Sequence, residues 1–188
     1  MLEHSYRRGL DTLFSERIAA PLGLTRLCYR PLQHFGLKEM AEGQRDNFLR
    51  HQTLRGDVDD EAAAMLGGVS GNAGLFGNAE SCAVVCQMLL DDGRYGGRTL
   101  INEETIRHYT TYRHRPSPYA LGFDRQRGGG RGNTCEEAPM STYGHTGFTG
   151  TCFWIDPTNQ IVYIFLSNRV APQRWNCLLY TSPSPRDS

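Results

Sequence analysis

The chain has 188 residues, of which 39% are hydrophobic and 21% charged, a composition typical of one globular domain with a buried core. Twenty basic residues balance twenty acidic ones, so the charge gives no reason to expect a nucleic-acid or anionic-membrane partner. No stretch of about 18 apolar residues predicts a membrane span, and the N-terminus lacks the apolar segment of a secretory signal.

The six cysteines form no C-x-x-C pair and have no histidine partner at zinc-finger spacing, so we expect neither a metal site nor a cofactor. Cys82 and Cys86 lie one helical turn apart on an apolar stripe. This position predicts small, buried, reduced thiols.

The first predicted helix covers residues 10–18, where apolar residues recur at helical spacing, and it ends before Pro21. Residues 26–56 show little periodicity and are predicted to be loop with short turns.

A short helix is expected over residues 61–66, with Asp59 or Asp60 as its N-cap. The acidic residues here do not have the spacing of a calcium loop. Five glycines in GGVSGNAGLFGN, residues 67–78, predict a tightly turned loop. The clearest helix then begins after Asn78 as N-cap and ends near Gly93.

The remaining predicted elements follow in the last 90 or so residues. They are a helix from Asn102 to Tyr109, a strand over 119–124, a flexible hairpin tip over 126–133, and two strands over 151–155 and 161–166. Helices followed by antiparallel strands predict an α+β fold, with an antiparallel sheet flanked by helices.

The stretch GHTGFTG, residues 144–150, leads directly into one of these strands. If the strand lines a cleft, Thr146 can offer its hydroxyl to a substrate carboxylate, and His145 can transfer a proton near neutral pH. Gly147 leaves room for a bound chain, and the Phe148 N–H can act as an oxyanion donor. The alternative interpretation is a tight turn with a surface histidine.

A longer context favours the first interpretation. GHTGFTGTCFWIDP followed by IVYIFLSNRVAP resembles the third active-site box, and the strands behind it, of the serine β-lactamase and penicillin-binding-protein superfamily. The resemblance is to the branch of β-lactamase-related serine hydrolases, with class C-like enzymes, D-Ala-D-Ala carboxypeptidases and esterases. Their box reads K-T-G, with histidine replacing the lysine in some members, and its match here is His145-Thr146-Gly147.

The resemblance extends upstream to SERIAAPLGL and to GGVSGNAGLFGNAESCAVVCQMLLDDGRYGG, so that it covers residues 10–172. It implies a serine acyl-enzyme formed by a Ser-x-x-Lys motif, together with a second box. Lys38 is the only lysine, and Phe35 stands where the serine would be. Ser70-Gly71-Asn72 has the letters of a second box but fits the family's later glycine-rich block better.

We therefore expect both missing boxes to lie upstream of Met1, with residues 1–176 forming a partial domain that is inactive alone.

Residues 177–188 resemble a translated sequencing adaptor; a natural polar tail is the alternative. One face of the incomplete sheet is expected to expose apolar side chains. The resemblance also implies a periplasmic or otherwise extracytoplasmic location.

Three functions remain open from the sequence. The first is a serine hydrolase acting on β-lactams, D-Ala peptides or esters, with Arg169 either facing a substrate carboxylate or in a surface ion pair. The second is a non-catalytic relative that binds peptidoglycan peptides or a protein. The third is a cysteine hydrolase that pairs Cys135 or Cys152 with His145.

Overall fold

The computed structural model describes residues 2–111, 119–129 and 132–175. The predicted tail and part of the predicted hairpin tip lie outside these residues. The helices are α1 (Leu2–Tyr6), α2 (Leu10–Phe14), α3 (Glu61–Met65), α4 (Ala79–Leu90) and α5 (Glu103–Thr111), and α2 continues as a π-helical turn, Ser15–Ala19. The strands are β1 (Leu27–Tyr29), β2 (Glu42–Asp46), β3 (Gln52–Arg55), β4 (Leu75–Gly77), β5 (Arg94–Tyr95), β6 (Arg98–Thr99), β7 (Asp124–Arg125), β8 (Tyr143–Thr146), β9 (Cys152–Asp156) and β10 (Ile161–Phe165).

The main sheet is antiparallel and has the strand order β10-β9-β8-β7. Three further two-stranded sheets pair β1 with β4, β2 with β3, and β5 with β6. The hairpin of β9 and β10 is confirmed, since Ile161 pairs with Asp156 and Phe165 with Cys152. The architecture is the α+β arrangement predicted from the sequence.

Helix α4 begins as predicted, because the Asn78 side-chain oxygen accepts a hydrogen bond from the Ser81 N–H at 2.9 Å. Its last turn is closed by Gly93, whose N–H donates to the Met88 carbonyl at 2.8 Å in a left-handed conformation at φ +87°. The predicted start of α3 is also confirmed, with the Asp60 carboxylate accepting from the Ala63 N–H at 2.7 Å.

The core lies between α4 and one face of the main sheet. Cys86 and Leu90 of the helix form a cluster with Tyr143 and with Ile155, which is fully buried. Alternate residues of β10, Val162 and Ile164, pack against the same cluster. Trp154 of β9 is also buried.

The opposite face of β10 is apolar and open. Ile161, Tyr163 and Phe165 are exposed by 55%, 53% and 39% in the part of the chain that the structure describes. Adjacent strand residues point to opposite sides of a sheet, so these three lie on the face away from α4. The exposed apolar face expected from the sequence is therefore observed.

Two predictions were wrong in extent. Residues 26–56 contain β1 and the hairpin of β2 and β3, as well as turns. These strands are short, and β2 has the sequence EGQRD, whose buried residues Gln44 and Asp46 are polar, so no hydrophobic alternation marks it. Of the strand predicted over 119–124, only Asp124 lies in a strand, β7, because residues 121–122 form a bend and Gly122 adopts φ +85°.

The loop between β2 and β3 is organised by one buried carboxylate. Asp46 accepts hydrogen bonds from the backbone N–H groups of Phe48, Leu49 and Arg50 and pairs with the Arg50 guanidinium at 2.6 Å. The Leu49 N–H, with the Arg50 side chain and the other two N–H groups, holds the pKa of this carboxyl well below its usual range. Protonating Asp46 therefore removes stability.

Replacing Asp46 with Asn should lower the free energy of unfolding by about 3 kcal/mol at pH 7, because a buried charge pair loses one partner. A depressed pKa contributes stability that is present above the unfolded value, about 3.9, and is lost as the pH falls below it. The difference between wild type and Asp46→Asn in urea unfolding should accordingly shrink from pH 7 to pH 3. A difference that stays constant with pH would contradict this role.

Removing the cap of α4 gives a second test. Asn78→Ala should lower the free energy of unfolding by about 1 kcal/mol, since the Ser81 N–H loses its acceptor. Asn78→Ser, which keeps a capping oxygen, serves as the matched control in the same denaturant titration. Equal losses in the two variants would show that the cap is not the cause.

Candidate active site

The candidate site begins where β8 loses one of its two neighbours. On one side β9 pairs with β8 along its whole length, from Tyr143 to Thr146. On the other side β7 pairs only with Tyr143 and Gly144. Among the residues that the structure describes, the backbone beyond Gly144 is therefore an open edge on the β7 side.

The buried Gln126 side chain turns the chain away at the end of β7. Its carbonyl oxygen accepts from the N–H groups of Arg127 and Gly128, at 2.7 and 3.2 Å. Its amide donates to the carbonyls of Cys135 and Ala138, at 2.7 and 3.0 Å. These bonds lie beside Thr142, at the other end of β8 from the open edge.

Opposite His145 and Thr146 the antiparallel register would place Phe123 and Gly122, which precede β7. They do not extend the strand, because residues 121–122 form a bend, Gly122 adopts φ +85°, and the Phe123 carbonyl accepts from the Ala120 N–H at 2.9 Å.

The direction of the backbone at Thr146 follows from strand geometry. Gln126 donates its N–H to the Thr142 carbonyl, so the backbone groups of Thr142 face β7. Backbone polar groups alternate between the two sides of a strand, and those of Thr146 therefore face the same, open side. An extended chain lying along this edge can pair with Thr146.

His145 is exposed, and its ring Nδ1 lies 2.7 Å from the Thr146 carbonyl oxygen. Since a carbonyl oxygen only accepts, a hydrogen bond at this contact requires Nδ1 to be the donor, and Nε2 points elsewhere. Side chains of neighbouring strand residues point to opposite faces. A ligand at the open edge would have His145 on one side and the Thr146 hydroxyl on the other.

The turn after β8 is closed by its own backbone and held by the segment after β10. The Gly147 N–H donates to the Thr151 carbonyl at 2.7 Å, and Gly150 turns the chain at φ +100°. Ser167 donates its hydroxyl to the Gly150 carbonyl at 2.5 Å, and the Arg169 N–H donates to Thr149 at 3.0 Å. The turn is thus fixed relative to the sheet.

Phe148 lies in this turn with its ring 52% exposed. Two guanidinium groups contact the ring, that of Arg169 at 4.7 Å from the centroid and that of Arg174 at 4.9 Å. No acceptor among residues 2–111, 119–129 and 132–175 engages the Phe148 N–H. This N–H therefore remains available for the predicted oxyanion role.

Arg169 and Arg174 differ in their partners. Arg174 pairs with Glu61 at 2.5 Å. Within the described chain, no carboxylate lies within 4.0 Å of the Arg169 guanidinium, so the surface ion pair considered from the sequence is not observed there. Arg169 keeps its charge beside the turn without a neutralising partner in the described part of the chain.

Ser70 and Asn72 make their hydrogen bonds away from this turn. The Ser70 hydroxyl donates to the Asn72 side-chain oxygen at 2.6 Å, and Tyr29 donates its hydroxyl to the Ser70 carbonyl at 3.1 Å. In the described residues their bonding partners lie at 29 and 70–73 and not at 145–150. A role of this pair as a second box stays a prediction.

The thiols give little support to a cysteine hydrolase. Burial raises the pKa of Cys152, and burial followed by the nearby Cys82 raises the pKa of Cys86 to about 12. Cys82 is only half-buried, so the prediction of two buried thiols holds for Cys86 alone. Cys135 is exposed, and its carbonyl binds Gln126, but none of its hydrogen bonds within the described chain reaches His145.

Two neighbours of the turn were missed from the sequence. Glu61 was assigned only to a helix start and Arg174 to no role, yet they join α3 to the ring of Phe148. They are 113 residues apart, and no local pattern signals such a pairing.

In the described residues no group of three or more His, Cys, Asp or Glu side chains could hold a metal ion.

Comparison with known proteins identifies the class to which this fold belongs. The model of the Beta-lactamase family matches residues 1–177, so the chain belongs to that family. A protein of Escherichia coli K12 named "Putative D-alanyl-D-alanine carboxypeptidase" is 38% identical over 176 residues. The match covers 85% of this chain and 40% of that protein, so the chain spans less than half the length of this curated relative.

Solved structures show the same fold. A penicillin-binding protein homologue from Caulobacter crescentus superposes with a TM-score of 0.60 at 21% identity, over 88% of this chain and 48% of its own. Simvastatin synthase from Aspergillus terreus superposes with a TM-score of 0.62 at 18% identity, over 89% and 47%. The observed helices and antiparallel sheet thus correspond to about half of the fold in these proteins.

No helix among the described residues is long and apolar enough to cross a membrane.

Two glycines of the site should respond differently to alanine. A Cβ at Gly144 would lie under 3.0 Å from the Phe153 carbonyl and from Trp154, whereas at Gly147 the only atom this close is the Thr151 hydroxyl. The Phe153 carbonyl belongs to the backbone of β9 and cannot move away from a new Cβ, whereas the Thr151 hydroxyl can rotate. Gly144→Ala should therefore destabilise the fold by about 2 kcal/mol through overpacking, and Gly147→Ala by less.

Thermal unfolding of the two variants under one set of conditions measures this difference. Gly71→Ala, at a position where a Cβ meets nothing within 4 Å, is the matched control. Equal midpoints for Gly144→Ala and the control would show that β8 and β9 are not packed as described.

Proposed function

We propose that the protein to which this chain belongs is a serine hydrolase of the carboxypeptidase and β-lactamase type, acting on an amide or ester whose acyl chain lies along β8. The observation that carries the proposal is the open edge at Thr146, followed two residues on by Phe148, whose ring the Arg169 guanidinium contacts at 4.7 Å with no carboxylate partner among the described residues. An extended peptide ending in a carboxylate matches this arrangement in both shape and charge.

The residues of this chain would bind and polarise the substrate. The substrate backbone would pair with the open edge of β8, and its carboxylate would accept hydrogen bonds from the Thr146 hydroxyl and the Arg169 guanidinium. The Phe148 N–H would donate to the carbonyl oxygen as negative charge develops on it. His145 stands at the position of the family's lysine, and Nε2 would accept or return a proton.

In this proposal the attacking serine comes from a Ser-x-x-Lys segment outside the given sequence. The serine hydroxyl would add to the substrate carbonyl, the amine or alcohol would leave with a proton, and water would then release the acyl group. The relative named as a D-alanyl-D-alanine carboxypeptidase supports a peptide as the substrate class. Peptidoglycan is accordingly the proposed source of substrate, and an extracytoplasmic location is proposed with it.

A non-catalytic relative is the second candidate, because the sequence contains a single lysine, Lys38, and no Ser-x-x-Lys. Such a protein would use the same edge and the same cation to bind a carboxylate-terminated peptide without cleaving it. The two candidates differ in turnover and share the binding residues.

The test uses the complete protein expressed from its gene, an N-acylated D-Ala-D-Ala peptide, a penicillin and a simple ester. We expect release of D-alanine and an acylated serine detectable by mass spectrometry. Arg169→Met should raise KM for the peptide about tenfold, the factor that corresponds to about 1.4 kcal/mol of a charged hydrogen bond. The ester, which has no carboxylate, should be hydrolysed as before.

Arg98→Met, a change on the distant hairpin of β5 and β6, controls for loss of surface charge. Saturable peptide binding without turnover of any of the three compounds would favour the non-catalytic candidate. Neither binding nor turnover would contradict both.

A further inference from the structure

The turn that carries Phe148 is joined to a distant helix through one side chain. Arg174 lies after β10, stacks on the Phe148 ring with its guanidinium 4.9 Å from the centroid, and reaches Glu61 in the first turn of α3 at 2.5 Å. These two contacts, from Glu61 to Arg174 and from Arg174 to Phe148, therefore link α3 to the turn that follows His145-Thr146-Gly147.

The Phe148 ring depends on this link for its position. It is flanked in sequence by Gly147 and, two residues on, by Gly150, the latter in a left-handed conformation. The ring is half exposed, and its recorded ring contacts within the described chain are the two guanidinium groups. An arginine that is itself fixed constrains the ring more than one that samples several rotamers.

Glu61 is built to fix Arg174. The Asp60 cap sets the start of α3 and so fixes the backbone position from which the Glu61 side chain extends to Arg174. Both partners are partly shielded, with side-chain exposures of 32% for Glu61 and 26% for Arg174. The hydrogen bond from Arg174 lowers the pKa of Glu61, so this carboxylate is charged at neutral pH.

The neighbouring Asp59 does not duplicate this contact. Its carboxylate accepts from the Gln44 amide at 3.0 Å, and burial raises its pKa, whereas Arg174 bonds directly to Glu61. The segment that carries Arg174 is also held by backbone, since the Arg45 N–H donates to the Pro172 carbonyl at 2.9 Å and the Asn168 amide donates to the Glu42 carbonyl. The backbone of this segment is therefore held by other bonds, and the contact with Glu61 orients only the side chain of Arg174.

We infer that Glu61 is a positioning residue, which holds Arg174 against Phe148 and so sets the direction of the Phe148 N–H at the open edge of β8. The inference rests on the proposed function, in which this N–H donates to the substrate carbonyl oxygen. Arg169, the second cation on the ring, has no carboxylate partner among the described residues and would bind the substrate carboxylate. The two arginines thus have different roles in the proposal: Arg174, paired with Glu61, holds the ring, and Arg169 binds the substrate.

The test variant is Glu61→Gln, which keeps the size of the side chain and removes its charge. Two readings are made on the complete protein: the amide resonance of Phe148 in [15N]phenylalanine-labelled protein, assigned with Phe148→Leu, and kcat and KM for the N-acylated D-Ala-D-Ala peptide. We expect the Phe148 resonance to move or broaden. We expect kcat to fall by about a factor of ten to a hundred, since displacement of a reacting group by about 1 Å can cost a hundredfold.

The conservative Glu61→Asp should restore part of both readings, because it retains the charge. Glu39→Gln, which breaks the exposed 3.2 Å ion pair with Arg26, is the matched control and should alter neither. If Glu61→Gln does not fold, Arg174→Lys, which keeps the charge but lacks the planar group that stacks on the ring, is judged by the same two readings.

The outcomes separate the two proposals. An unchanged Phe148 resonance in Glu61→Gln overturns the inference, as does a displaced resonance with unchanged kcat. A merely structural role would lower the unfolding temperature, leave kcat of the folded enzyme intact, and also overturn it. If the wild-type protein turns over no substrate, the proposed function fails, and the Phe148 resonance alone then decides whether Glu61 positions the turn.

Discussion

The contact between α4 and the sheet is the interaction on which the rest of the structure depends. Ile155 of β9 is fully buried, and around it Cys86 and Leu90 of the helix meet Tyr143 of β8. Apolar burial of this kind is the main favourable term in folding. It fixes the plane of the sheet, and through Tyr143 it fixes the strand that carries the candidate site.

The site is a consequence of where strand pairing stops. β8 is paired on both sides at Gly144, but only with β9 at His145 and Thr146. An unpaired strand edge is normally a liability, since its free backbone groups can recruit another chain. Here the open edge is short and ends in a fixed glycine turn, so the same property suits the binding of one extended peptide.

The second requirement of the site is charge, and it is supplied from outside the sheet. Two arginines from the segment after β10 meet at Phe148, and a glutamate from α3 binds only one of them. A partly shielded cation is stabilised by a compensating group, and among the described residues Arg174 has a carboxylate partner whereas Arg169 has none. The chain belongs to the Beta-lactamase family, and the carboxylate-bearing substrate proposed for this site remains a proposal.

The elements that could be predicted from the sequence are those whose signals lie within a few neighbouring residues. The cap at Asn78, the helical spacing that follows it, and the alternating strands around the turn at 156–160 each lie within a few residues and were predictable. His145, Thr146 and Gly147 were found in the same way, as a contiguous motif leading into a strand. The strands within 26–56 were not, because they are short and lack alternation.

Tertiary structure alone decided the surroundings of the motif. That β7 pairs with β8 only as far as Gly144, that Arg169 and Arg174 share one ring, and that Glu61 pairs with Arg174 all depend on contacts between distant segments. No periodicity or spacing encodes a pairing between residues 113 positions apart. The sequence therefore determined which groups the chain carries and in what local shape, whereas packing determined which of them face the open edge and which neutralise one another.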